Sequence, residues 1–152
     1  MSKKKWQIEN LDDKLPYYKA ANFVIKNRLN QVQTDIKEYF TRESVEALHR
    51  IRISLRRLRY SMELFISCYD RKKFMILYDI VTDLQDLSGK VRDFDVMTEN
   101  MDILLKKEKV RISKNVFRKV DDIRSEFHIK LKLDLMEFIH SKGVKSFEEL
   151  LK

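Results

Sequence analysis

The chain has 152 residues, a formal net charge of +8 and a pI near 9.5; 43% of residues are hydrophobic and 37% charged, with only two Gly and one Pro. That length suits one domain with a real core, and so little Gly and Pro argues against hairpin-rich β architecture and for an all-α fold with short connections. The basic balance favours an acidic partner, whether nucleic acid, a phosphate polymer or an anionic surface. Cys68 stands alone, which excludes a disulfide framework and a Cys-based zinc site. A small hydrophobic packing role is expected for it. No apolar run follows the N-terminal lysines and no stretch has the composition of a membrane span, so neither a signal peptide nor a membrane association is expected.

Residues 1–14 form a polar lead-in, with Lys3, Lys4 and Lys5 as a basic tip, and residues 15–152 form a single helical domain. Pro16 suits a helix start. From there Tyr18, Ala21, Ile25, Leu29, Val32, Ile36, Tyr39 and Phe40 keep a three-four spacing, which predicts a first amphipathic helix over 16–40. Lys19, Lys26 and Arg28 lie off that stripe and read as solvated.

The next segment, 43–69, contains neither Gly nor Pro, and Thr41 or Ser44 can cap it. At about 100° per residue, Leu48, Ile51, Leu55, Leu58, Met62 and Phe65 share one face. His49, Arg52, Arg56 and Arg59 occupy an adjoining arc about 80° wide, and Arg50 and Arg57 lie on a further flank. A solvated helix face normally interleaves acids with bases at i+4. Here no acid lies between Glu46 and Glu63, so the arginines repel one another unless something outside the helix neutralises them. Arginine also offers a planar fork of donors matched to phosphate and stays charged when desolvated. The ladder therefore reads as a polyanion site rather than a plain surface.

A third helix is expected over 72–88, with Phe74, Leu77, Ile80, Val81, Leu84 and Leu87 inward. Asp79, Asp83 and Asp86 line another of its faces, as a surface or as partners for the arginine helix. Ser88 and Gly89 then predict a stop. A new helix would open at Lys90, with Phe94, Met97, Met101 and Leu104 inward. That would place Lys90 and Arg92 at a helix start, where free N–H groups and the dipole attract anions. Asp93 and Asp95 would cap it or hold nearby arginines.

The basic stretch 106–119 should be mostly loop and helix start, adding a general positive field. The last long helix, 113–141, would bury Phe117, Val120, Ile123, Phe127, Leu131, Leu135 and Phe138. Arg124 falls inside or beside that stripe, which marks it as a candidate site residue. His128 and His140 read as surface or boundary residues. Gly143 should end the helix, with Phe147, Leu150 and Leu151 in a short closing helix. The whole predicts an antiparallel bundle of four to five helices.

Groups that break bonds are scarce. There is no Gly-rich phosphate loop, no paired His or Cys for zinc, and no nucleophile signature around the three histidines. No cofactor and no metal are expected, and the balance favours a binding module over an enzyme. A rival reading is a metal-dependent phosphohydrolase using Asp79, Asp83, Asp86, Asp93 or Asp95 to hold Mg²⁺. Another is non-specific nucleic-acid binding, against which the lack of an aromatic residue from His49 to Arg59 counts.

The run from Leu48 to Arg59 (Leu-His-Arg-Ile-Arg-Ile-Ser-Leu-Arg-Arg-Leu-Arg) and the later run from Leu84 to Val96 (Leu-Gln-Asp-Leu-Ser-Gly-Lys-Val-Arg-Asp-Phe-Asp-Val) resemble the two signatures of the CHAD domain, a histidine- and arginine-marked α-helical domain. The resemblance is clear over roughly 45–97. It implies an all-helical fold that binds inorganic polyphosphate and, in the cytoplasm, associates with polyphosphate granules. His49, Arg52, Arg56, Arg59 and Arg92 match the family's basic motif, with Lys90, Arg57 and Arg50 as additions. The Glu-x-Glu-x-Lys motif of the triphosphate-tunnel enzymes sometimes fused to such domains is absent, so no catalytic half is expected. Family members usually carry two bundles related by a pseudo-twofold, each with its own motif, whereas this chain has one copy. The expectation is a half-domain that pairs with itself as a homodimer. His49 should strengthen binding when protonated, with affinity rising as the pH falls.

Overall fold

A computed structural model describes Ile8 and residues 10–152. The expectation for Lys3, Lys4 and Lys5 lies outside the described residues. The described chain is all-helical: α1 (Tyr17–Thr41), α2 (Val45–Leu64), α3 (Arg71–Lys107), α4 (Lys114–His140) and α5 (Lys142–Leu150), with one 3-10 turn at Ile66–Cys68 between α2 and α3. Consecutive long helices pack side by side, and α5 closes against α3 and α4.

The helix starts follow from local chemistry. Ser44 caps α2 by accepting from the Ala47 N–H at 3.0 Å, and Asp70 caps α3 by accepting from Lys73 at 3.2 Å. Ser113 and Ser141 do the same for α4 and α5. Pro16 stands just before α1 with no N–H to leave unsatisfied.

The core takes the expected stripes: Ala21, Ile25, Leu29, Val32 and Ile36 of α1 meet Leu48, Ile51, Leu55, Leu58 and Met62 of α2. Phe74, Leu77, Val81, Leu84, Leu87 and Val91 of α3 join Leu131, Leu135 and Phe138 of α4, and Val144 and Phe147 of α5 seal one end. Cys68 is half-buried and packs against this core. Tyr18 and Phe40, expected inward, are exposed.

Two glycine expectations fail. Gly89 does not stop a helix, because α3 runs unbroken for 37 residues. Its φ is not left-handed, and the inward positions Leu84, Leu87, Ser88, Val91 and Asp95 keep their spacing across it. A helical Gly costs about 1 kcal/mol relative to Ala. Burying a single aliphatic side chain such as Val91 recovers roughly 1.5–3 kcal/mol, so packing overrides the break. Gly143 lies inside the first turn of α5 and does not end α4; Ser141 makes that corner. A Cβ at Gly143 would stand 3.0 Å from Ile76 Cγ2, so the glycine lets α5 approach α3 closely.

At about 1.5 Å per residue α3 is about 55 Å long, while α2 spans about 30 Å. The last turns of α3, beyond Asp95, and the first turns of α4 therefore project past α2 as a helical hairpin. This explains why Met97, Leu104 and Ile123, expected inward, are exposed, and why Met101 is the one buried hydrophobic of α3 beyond Val91.

Candidate functional site

Helix α2 lies between α1 and α3, and its cationic residues divide between those neighbours. His49 and Arg52 turn toward α3, where they line a hollow with Arg92 over a floor of Val45, Leu48, Ser88 and Asp95. A second hollow shares Val45, His49 and Arg92 with it and is completed by Glu46 and Arg50. Arg92 reaches this place from the middle of α3, not from a helix start, so the expected dipole contribution at Lys90 and Arg92 is absent. What puts Arg92 there is its position one turn after Ser88 and just before Asp95, both of which face the core.

Arg56 is exposed farther along the same arc. Arg59 ends the ladder partly neutralised: its Nε lies 3.2 Å from Glu63 Oε1, and its guanidinium carbon is 5.3 Å from the centre of the Tyr60 ring. Glu63 also accepts a 2.7 Å hydrogen bond from the Tyr78 hydroxyl of α3, and that bond pushes the Tyr78 phenol above its ordinary pKa. Tyr60 is exposed, so an aromatic does stand directly beside the ladder.

The remaining sequence candidates lie elsewhere. Arg50 also borders a groove with Thr34, Lys37 and Thr41 of α1. Arg57 faces Arg28 of α1; burial, and then the Arg57 charge, hold the Arg28 guanidinium below its ordinary pKa. Lys90 projects about 160° around α3 from Arg92. Its Nζ sits 5.8 Å from the centre of the Phe127 ring of α4, which itself packs on Phe94. Asp79, Asp83 and Asp86 are exposed, and among the described residues none forms an ion pair with the arginine helix. Asp83 instead borders a hollow with Asp134 and Glu137 of α4. No three His, Cys, Asp or Glu side chains converge at metal-binding distance among the described residues.

Arg124 comes to the site through Asp95. The buried Asp95 carboxylate accepts from Arg124 Nε at 2.6 Å, and the same Oδ1 lies 3.2 Å from His128 Nε2. Asp95 thus faces the His49–Arg52–Arg92 hollow and ties α3 to α4. His128 is a boundary residue as expected, 25% exposed, but its contact with Asp95 was not foreseen. Its signal was the i+4 spacing from Arg124, which places both side chains on one face of a helix.

The fold and these groups define a class: an all-α bundle whose second helix presents a His/Arg ladder against a long central helix carrying a further arginine. The CHAD domain family model matches residues 4–102 and 25–151, and the chain belongs to that family. Comparison with curated proteins and with solved structures found no match.

Proposed function

We propose that this chain is a non-catalytic module that binds inorganic polyphosphate along the surface where His49, Arg52 and Arg92 surround the small hollow between α2 and α3. One observation carries the reading. Among the described residues no carboxylate forms an ion pair with His49, Arg52, Arg56 or Arg92, although they crowd along one arc and one hollow. The acid that lines this hollow, Asp95, is already engaged by Arg124 and His128. Mutually repelling guanidinium groups with forked donors suit a ligand of closely spaced phosphates. Association with polyphosphate granules in the cytoplasm follows from the same reading. Among the described residues no helix is long and apolar enough to cross a membrane.

The motif occurs once, so a second copy of the chain would supply a second ladder. Ile129, Leu133 and Met136 form an exposed apolar stripe on α4, opposite its buried face, and would serve a contact that leaves the ladder free. The competing ligand is single-stranded nucleic acid, favoured by exposed Tyr60 beside Arg59. Titrating the protein with polyphosphate and with single-stranded DNA of matched charge tests the reading. Polyphosphate should bind tighter, and Arg52→Ala with Arg92→Ala should remove most of that preference.

A further inference from the structure

We propose that Asp95 is a positioning residue that sets Arg124 as a third wall of the anion site, so that phosphate held over the α2–α3 hollow is also gripped from α4. The inference rests on the polyphosphate reading above.

The geometry points this way. Asp95 is 5% exposed, while the Arg124 side chain is 35% exposed, so the guanidinium is held at Nε by a buried acid while the side chain keeps part of its surface open. The 2.6 Å bond to Asp95 uses Nε and leaves the terminal nitrogens to donate elsewhere. Their other acidic neighbour is weak: Arg124 Nη1 lies 4.0 Å from Asp121, whose side chain is 70% exposed. A free arginine side chain has many rotamers to lose. Fixing Nε on a buried acid removes much of that freedom before the ligand arrives. His128 meets the same Oδ1 at 3.2 Å, so two side chains of α4 hold this carboxylate. Asp95 also lines the hollow that contains His49, Arg52 and Arg92, so this one carboxylate joins Arg124 of α4 to the wall of that hollow.

Asp95 is negative, and a negative charge in a phosphate site repels the ligand. If its effect were only electrostatic, neutralising it would tighten binding. If it positions Arg124, neutralising it weakens binding. The sign separates the two.

The test uses the full chain, long-chain inorganic polyphosphate and four proteins: wild type, Asp95→Asn, Arg124→Gln and the double variant. In the wild-type background, D95N should weaken binding about tenfold, the scale of one charge-assisted contact. R124Q should weaken it comparably and reduce the slope of log K against log salt by about one contact. In the R124Q background, D95N should no longer weaken binding and should strengthen it slightly, because only the repulsive charge remains to be lost. A purely structural role would make D95N harmful in both backgrounds. That result, or tighter binding by the D95N single variant, overturns the inference and leaves the polyphosphate reading standing. Should D95N not fold, R124Q alone decides: unchanged affinity and salt slope overturn the inference. A wild-type protein that does not bind polyphosphate overturns the functional reading, and the inference with it.

Discussion

Arg52 and Arg92 show what a single residue contributes to this site and how well the sequence disclosed it. Arg52 could be placed directly, since its spacing from His49 and Arg56 is a property of one helix. Arg92 was expected from the family motif and from a helix start; the motif places it correctly, but it faces α2 from mid-helix, so no helix-end dipole contributes. Asp95 does hold an arginine, as one of its two expected roles, but which arginine, and that His128 joins it, was harder to foresee. Asp95 contacts residues 29 and 33 positions away, and only the register between α3 and α4 decides which side chains meet. Replacing Arg52 and Arg56 by Ala should lower polyphosphate affinity by about a hundredfold, from two charged hydrogen-bonding groups at roughly 1.5 kcal/mol or more each. Replacing Lys3 and Lys4 removes the same charge and should cost far less, as screened attraction falls off quickly. Thermal melts should barely move, because the ladder lies beside the core stripe and not in it. Equal losses in the two double variants would reduce the site to generic basicity.

At the scale of helices, the two glycines make opposite predictions. A Cβ at Gly89 meets nothing within 4 Å, so Gly89→Ala should stabilise the protein by about 0.5–1 kcal/mol in denaturant unfolding. A helix break at this position would instead make the substitution destabilising. Gly143→Ala would bring a methyl to 3.0 Å from Ile76 Cγ2, so it should be clearly less favourable than Gly89→Ala. The number and order of helices were readable from apolar spacing and serine caps, because those are local properties. The joining of 71–107 into one helix was not. A glycine's local preference is small, and the packing that outweighs it, Val91 and Leu87 against the core, is visible only in three dimensions.

At the scale of the molecule, one bundle carries one ladder and a helical hairpin that projects beyond it. Pairing through the α4 stripe would bring two ladders to one polymer, with the effective-concentration gain of a bivalent grip. Analytical ultracentrifugation at micromolar protein should show a dimer, strengthened by polyphosphate as it screens the repelling arginines. Leu133→Asp should shift the protein to monomer without unfolding it, since Leu133 is 61% exposed. A monomer with and without polyphosphate would contradict the half-domain reading but leave the binding site in place. The exposed apolar residues of the hairpin could not have been foreseen, because their three-four spacing matches that of a buried stripe and only the unequal helix lengths leave them outside.

The central claim is that the surface over the α2–α3 hollow recognises closely spaced phosphates through guanidinium groups that no carboxylate of the described residues pairs. The most direct measurement is competition binding between polyphosphate and single-stranded DNA at matched charge, repeated from low to physiological salt. The account predicts that polyphosphate wins throughout, that its log K falls steeply with log salt, and that Arg52→Ala with Arg92→Ala abolishes the preference. Equal affinity for the two polymers, or polyphosphate binding that hardly changes with salt, would contradict it.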